Sequence, residues 1–557
     1  MIGLSSNSRQ QARLWHFGML LAGFAVLAPV LSLLVLAVQG SPGHWAHLLD
    51  HVLPHAFVQT VTLLIGVGAV SAALGVGGAW LVTAYDFPWR TTLSWALMLP
   101  LAVPTYIVAY AYLDVLHPIG PVQGALRWAL GYDSPREFRL PDLRNLPGAI
   151  VLMGFVLYPY VYLTTRSMFA TQAASLIEAS RLLGHGPRST FFRVVLPLAR
   201  PAVAVGLSLV LLETLNDIGA SEFLGIQTLT VSVYTTWVSR SDLAGAAQIA
   251  LLMLGLVIAL IAAERRGRQR LRYSAGRRAH PLRPRRLEGV QAGLATLLAA
   301  APVVIGFLVP AVYLLQQTVG RLAQEGPPSV QLLRAGWNTV AISLWATLLT
   351  LALGLVVAWS AHIMIRPRRW QQALPRLATL GYALPGTVLA IGLLFPVMAL
   401  DHALVWLRDL FGLDSVRLIL MGSPLVLAVA YVIRFLTISV GSVEAGLARI
   451  PASMEQAARL LNETLNGTLR RVHLPLLKPA LATAALLVFV DSMKELSATL
   501  LLRPMNFETL ATWLYGEAAR GTYEEGAIAA LGIVLAGLIP LIMLSRVQQH
   551  NRHEHHA

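Results

Sequence analysis

The chain of 557 residues contains no cysteine, which excludes a disulfide framework and any thiolate metal site. Lysine is almost as scarce: only Lys478, followed by proline, and Lys494, followed by glutamate, occur. The Gly-Lys-Ser/Thr ending of a phosphate-binding loop is therefore impossible, and the chain carries no nucleotide site of that kind. No His-Glu-x-x-His pattern or comparable catalytic constellation is present, which argues against a membrane-embedded enzyme. Charge itself is in short supply, at 12% of residues against 56% hydrophobic. One soluble core cannot bury that much apolar surface, so composition selects an all-α polytopic membrane protein.

What the chain has in quantity is apolar runs of about 20 residues, the length that crosses a hydrocarbon layer of roughly 30 Å at 1.5 Å per residue. They predict about twelve membrane helices, at 17–38, 56–84, 93–113, 147–168, 198–218 and 245–263, then 289–315, 336–363, 376–399, 420–440, 478–498 and 526–545. The first run follows Arg9 and Arg13, exceeds the length of a cleavable signal core and lacks a small-residue cleavage site before Ser41, so it is expected to remain as an anchor. Basic residues exceed acidic ones by 42 − 27 = 15, and ten arginines crowd the stretch from Arg265 to Arg286. With a cytoplasmic N-terminus, six crossings return the chain to the cytoplasm at that stretch, as the positive-inside rule requires, and both termini are cytoplasmic. The same topology places Arg366, Arg368 and Arg369 inside, whereas the outer loop 114–146 mixes signs at Arg136, Glu137, Arg139, Asp142 and Arg144. The arginines are read as topogenic and lipid-facing, with no nucleic acid as partner. Trp128, Tyr132 and Phe138 in the outer loop read as interfacial anchors, and the histidines of the tail 552–556 as a polar terminus.

The sequence is written twice. Glu178-Ala-Ser-Arg-Leu-Leu-Gly184 leads to Val194-Val-Leu-Pro197, and Gln456-Ala-Ala-Arg-Leu-Leu-Asn462 leads to Val472-His-Leu-Pro475, at an offset of 456 − 178 = 278. Pro201 and Pro479, Glu213 and Asp491, and Asp217 and Glu495 keep that offset; Thr60 and Thr339, Gly75 and Gly354, and Trp80 and Trp359 differ by 279. The chain divides accordingly into a first transmembrane half, 1–263, an Arg-rich cytoplasmic connector, 264–288, and a second transmembrane half, 289–557. Six spans per half give the copies one orientation, a parallel repeat that can enclose a path at its interface. In the first loop Leu176, Ala179, Ser180 and Leu183 stand at helical spacing and end at Gly184, and the second copy has Asn462 there; both residue types accept the left-handed backbone closing a helix. Pro197 and Pro475 mark the entry to the next span.

On the spacing of Glu178, Gly184 and Pro197, this loop resembles the "EAA" loop of ATP-binding-cassette importer permeases. The second copy departs from it, with Gln456 in place of the acid beside Glu455, and Asn462 in place of glycine. The resemblance implies a type I importer permease fold with two fused halves. It implies that Glu178, Ala179, Ser180, Gly184, Leu196, Pro197, Gln456, Ala457, Ala458, Asn462, Leu474 and Pro475 form two surfaces that dock on two ATPase subunits. ATP and magnesium would then sit on those partners, with no cofactor in this chain, and an extracytoplasmic solute-binding protein would deliver cargo to a bacterial inner membrane.

Downstream of each loop, Glu213, Asn216 and Asp217, and Asp491, Lys494 and Glu495, place acids four residues apart, on one face if the helix persists. Membrane carboxylates face a cavity or a partner, so these six residues are candidates for lining a translocation path, for structural caps or ion pairs such as Asp491 with Lys494, and for direct substrate ligation. The stretches 216–225 and 493–511, with Pro100-Leu-Ala-Val-Pro104-Thr-Tyr106, are similar to ferric-iron importer permeases, which implies ferric iron as cargo. Oxygen donors suit such a hard ion, and Tyr106, Tyr110 and Tyr112 permit it, but the matching stretch after Pro385 has no tyrosine, so no metal ligand is named. Importers of thiamine, phosphonate or polyamine, and a secondary transporter independent of ATP, are the alternatives.

Overall fold

The computed structural model describes residues 6–40, 46, 48–172, 180, 182–269, 284–364, 369–412 and 419–554. The long helices, in chain order, are α1 (Ser6–Gln39), α2 (Leu53–Ala84), α3 (Thr105–Val115), α4 (Leu146–Gln172), α5 (Leu196–Asn216) and α6 (Leu243–Gln269). They continue with α7 (Gly289–Val303), α8 (Val309–Glu325), α9 (Val330–His362), α10 (Gly386–Leu410) and α11 (Leu425–Leu447). The last three are α12 (Ala452–Leu460), α13 (Leu474–Met493) and α14 (Tyr523–Glu554).

Among the described residues, eleven spans are long and apolar enough to cross a membrane, and a bent pair, Arg90–Ala102 with Thr105–Val115, brings the number to twelve. Each falls on one of the expected runs. The third span departs from expectation in being broken by 92°. Pro104 has no N–H to offer the preceding turn and stands at the N-cap of α3. Pro385 does the same for α10, after a tight turn at Leu380–Ala383 that matches the one at Leu99–Ala102. At 32 and 33 residues, α2 and α9 are about 50 Å long, well beyond the hydrocarbon thickness, so their ends reach into the aqueous layer.

The chain packs as two compact units that do not follow its order: Met1–Trp45, Val233–Leu251 and Val330–Thr512 form one, and Ala46–Ser232, Leu252–Ser329 and Trp513–Ala557 the other. In the first unit, α9, α11 and α13 pack on one another, and α1, from the opposite end of the sequence, lies along α9 and α10. Gly18 and Gly392 admit that approach, against Val356 and the Pro29 carbonyl respectively. In the second unit, α2, α4 and α5 form the equivalent trio, α7 lies against α2, and α8 runs beside α14. A core of Trp80, Tyr158, Tyr162, Phe169 and Val195 receives Ala292, Ala295 and Ala299 from α7. Each unit thus joins the central helices of one sequence repeat to the leading helix of the other. Close helix contact uses one device twice. A Cβ at Gly75 of α2 would fall 2.7 Å from Val161 of α4, and a Cβ at Gly354 of α9 would collide with Ser439 of α11.

Candidate functional site

From the turn at Gly184 and Asn462 onward, the two loops share a backbone course. In the second, α12 ends with Leu461 N–H on the Ala457 carbonyl at 3.1 Å, and Asn462 takes a left-handed φ of 59°. Thr464 then accepts from Gly467 N–H at 3.1 Å and caps the short helix Leu465–Thr468; a wide turn at Leu469–His473 leads into α13, with Pro475 in its first turn. The first loop repeats this with Gly184 at φ 80°, the helix Pro187–Thr190, a wide turn at Phe191–Val195 and α5, with Pro197 in its first turn. Ser180 is buried, its hydroxyl 3.1 Å from that of Thr190. Ala458 is buried while Gln456 and Ala457 are exposed; Leu196 and Leu474 are half-buried. Glu178 and Ala179 lie outside the described residues.

Each loop also bares an apolar pair: Leu182 and Leu183 are 89% and 78% exposed, and Leu460 and Leu461 are each 79% exposed. The pairs sit at the repeat offset, on the turn that Gly184 and Asn462 close. Two adjacent leucines in water cost free energy unless a partner covers them. This pair is the part of the site that the loop pattern spelled out only as helix periodicity.

Beside the second loop lies a polar cluster that reading by motif missed. Glu455 of α12 accepts from His362, at the end of α9, at 2.6 Å, and from His473, at the foot of α13, at 3.0 Å. Trp359 packs its indole against both imidazoles, with ring centroids 5.5 Å and 4.7 Å away. Burial pushes the Glu455 carboxyl up, but the hydrogen bonds and charge of the two histidines outweigh it and hold the group below the usual carboxylate range. The signal was in the repeat itself: the matching positions of the first half are Thr83, Ile177 and Val195, so all three polar side chains belong to the second copy alone.

The acids within the spans are placed differently from the expectation of a shared helix face. The helix α5 stops at Asn216, and Asp217, at φ −81° and ψ 100°, begins a new helix, Ile218–Phe223. Asp217 accepts from Ala220 N–H at 2.8 Å and from the Thr105 hydroxyl. In the second half, α13 stops at Met493, and Glu495 accepts from Ala498 N–H at 2.8 Å and from Arg434 at 3.2 Å. The physical reason is that each carboxylate satisfies the free N–H groups of the short helix after the break, which ends the continuous face. Asp491 pairs with Lys494 at 2.7 Å, and Glu213 and Asn216 are half-buried on α5. Two of the three tyrosines are spent on backbone: Tyr110 donates to the Tyr523 carbonyl, and Tyr112 to that of Ile305 at 2.7 Å.

A cavity of about 260 Å³ in the second unit is lined by Arg144, Glu222, Phe223, Tyr515 and Tyr523, among others. Burial raises the Glu222 carboxyl, and the hydroxyl donated by Tyr515 offsets this only in part. Sequence reading named Arg144 only as an outer-loop charge and did not join these residues, because the outer loop, the short helix Ile218–Phe223, the helix Leu510–Arg520 and α14 supply them from distant positions.

Twice-repeated spans, two proline-started helices and two apolar-tipped loops define a transport permease built from two like halves. Residues 73–273 and 350–552 each match the family described as "Binding-protein-dependent transport system inner membrane component", and the chain belongs to that family. It is 24% identical over 492 residues, 88% of this chain and 89% of the relative, to the "Fe(3+)-transport system permease protein FbpB 2" of Haemophilus influenzae. It is 25% identical over 475 residues, 81% of this chain and 79% of the relative, to the "Probable ABC transporter permease protein y4fN" of Sinorhizobium fredii. A shorter match, 30% identical over 204 residues, covers 36% of this chain and 67% of the "Sulfate transport system permease protein CysW" of Escherichia coli.

Proposed function

We propose that the chain is the membrane permease of an ATP-driven ferric-iron importer, in a bacterial inner membrane with both termini and both loops in the cytoplasm. The observation that carries this reading is the pair of family matches, 73–273 and 350–552, each containing one copy of the loop, in a chain that aligns almost end to end with an Fe(3+)-transport permease. Two ATPase subunits dock on the loops around Glu178 and Gln456, with Leu182, Leu183, Leu460 and Leu461 as the apolar contacts. Their ATP-driven closure moves the loops, and the wide turns at Phe191–Val195 and Leu469–His473 pass that movement to α5 and α13. A binding protein delivers the solute at the opposite face, and its release depends on different affinities for the two states of the path. Asp217 and Glu495 act in this scheme by fixing the broken helices, with Glu213, Asn216, Asp491 and Lys494 as the remaining polar groups near the path.

The test is reconstitution of the permease in vesicles with its ATPase and binding protein. Uptake of radiolabelled ferric iron that requires ATP and the binding protein supports the reading. Uptake driven by an ion gradient without ATPase overturns it in favour of a secondary transporter. Sulfate, thiamine, phosphonate and polyamine serve as competing cargoes, and transport of one of them in place of iron overturns the cargo alone. Replacing Glu178 together with Gly184 is expected to leave ATP hydrolysis uncoupled from uptake, and unchanged uptake counts against the docking role.

A further inference from the structure

The cluster at the foot of the second loop has more donors than an ordinary ion pair needs. One ring nitrogen of His362, one of His473 and a carboxylate oxygen of Glu455 all lie within 4.8 Å of one another, and Nε2 of each histidine reaches Glu455 at 2.6 Å and 3.0 Å respectively. The second ring nitrogen of His473, Nδ1, faces the Thr468 carbonyl at 3.3 Å. A carbonyl only accepts, so Nδ1 carries the proton in that contact. Nε2 of the same ring faces a carboxylate oxygen of Glu455 at 3.0 Å, a contact made by a proton on Nε2 or by a cation in that proton's place. An imidazole held through one nitrogen by a backbone carbonyl, with the other aimed at a carboxylate, is the arrangement that orients histidine ligands on metals.

We propose that His362, Glu455 and His473 form a three-donor site for a first-row divalent cation such as Zn²⁺, which staples the second coupling helix, α12, to α9 and α13. Two imidazoles and one carboxylate match the donor set of such ions, and a water completes four-coordination. With bonds of 2.0–2.1 Å, tetrahedral ligands stand about 3.3 Å apart, so to admit the ion the Glu455 oxygen moves about 0.7 Å from the His362 nitrogen, now at 2.6 Å, and about 0.3 Å from that of His473, now at 3.0 Å. The site is open to solvent on one side: His362 and Glu455 are 32% and 21% exposed, while His473 is fully buried. Trp359, 2% exposed, forms its dry wall. The first repeat is an internal control, since Thr83, Ile177 and Val195 at the matching sequence positions provide no such set. The three donors come from three elements, so an occupied site restrains the movement of α12 relative to the ends of α9 and α13. On the reading of α12 as an ATPase contact, the ion restrains coupling through the second loop only.

The experiment uses the full chain, purified through a tag without histidine, with His553, His555 and His556 changed to alanine so that the tail contributes nothing. Zn²⁺ is titrated against a chromophoric chelator, and hydrogen–deuterium exchange is followed over 452–473. One Zn²⁺ per chain, with slower exchange in that segment, is expected. His362→Ala and Glu455→Gln, at partly exposed positions, are each expected to weaken binding at least tenfold. Absence of one-to-one binding, undiminished affinity in both variants, or unchanged exchange on binding overturns the proposal. With ATPase added, Zn²⁺ is expected to slow hydrolysis in the parent and not in His362→Ala. Zinc-insensitive hydrolysis beside intact binding overturns the restraint, whereas a permease that moves cargo without ATPase overturns the importer reading and leaves the metal site standing.

Discussion

Glu495 offers a direct choice between a structural and a translocating carboxylate. Its side chain is 6% exposed, that of Arg434 is 8% exposed, and they meet at 3.2 Å, while the same oxygen accepts from Ala498 N–H at 2.8 Å. At 3.2 Å and an effective dielectric of 20 the attraction is about 5 kcal/mol before desolvation is counted. Removing one partner leaves the other charge buried, which costs about 3–5 kcal/mol, whereas removing both charges from a well-packed site is close to neutral. Glu495→Gln keeps an oxygen for Ala498 and removes only the charge, so it is expected to lose about 3–5 kcal/mol. The double change Arg434→Met with Glu495→Gln is expected to recover most of that loss. Asp491 and Lys494 are 24% and 29% exposed, and Lys494→Gln there is expected to cost no more than about 1 kcal/mol. Unfolding by denaturant in mixed micelles, followed by tryptophan fluorescence, measures all three. A Glu495→Gln variant as stable as the parent but defective in uptake would refute the capping argument and return Glu495 to the path. Purely additive losses in the double variant would refute the coupling between the two charges.

At the loop turns, Gly184→Val forces a β-branched residue to φ 80° and is expected to cost at least about 1–2 kcal/mol locally, read as faster proteolysis of that loop, while Asn462→Gly leaves its loop intact or firmer. Leu460→Asn with Leu461→Asn is expected to weaken ATPase binding about tenfold or more, because each leucine covered on docking contributes about 1.5–3 kcal/mol; undiminished binding in a pull-down titration would show that the exposed pair is not the contact. Glu222 binds its proton more tightly folded than unfolded, so its contribution to stability is present below the ordinary glutamate range and is lost as pH rises through the raised value. Glu222→Gln is therefore expected to unfold at a higher temperature than the parent at neutral pH and to lose the advantage in acid, and parallel pH profiles of the two would contradict this.

Membrane helices were legible because a run of about 20 apolar residues has few other stable outcomes. The duplication was legible because loop residues and glycines kept their spacing. Where a helix breaks was less so: Pro104 and Pro385 were visible, but the bend at Pro104 depends on the course of the chain on both sides. The roles of Asp217 and Glu495 were hidden because helical spacing assumes an unbroken helix, and their partners Thr105 and Arg434 are 112 and 61 residues away. Nor does an apolar helix state which neighbour it will join. The residues of α1 have the composition of any lipid-spanning segment, and only Gly18 and Pro29, set against Val356 and Gly392, record its place beside α9 and α10. His362 escaped notice for a similar reason, since 93 residues separate it from Glu455.

The two copies can be compared as a duplicated experiment. Thr60 and Thr339 each accept a backbone N–H, from Leu229 at 2.9 Å and from Leu510 at 2.7 Å, and each donates to the carbonyl one turn back. Ser221 and Thr499 each return a hydroxyl to the carbonyl of the capping acid. Devices that hold helices together have thus been kept in both copies, because each half must still satisfy its own buried N–H groups. From a glycine in one copy and an asparagine in the other at positive φ onward, the loops' backbone course has been kept as well. What differs is the layer just beneath the loop: Phe169 and Phe191 against Trp80 in the first copy, and His362 and His473 against Trp359 in the second. Apolar packing gives the first loop a foundation indifferent to the solution around it. A carboxylate between two imidazoles gives the second a polar one. If both loops receive ATPase subunits as proposed, the two contacts rest on unequal foundations, and only the second can respond to protons or ions.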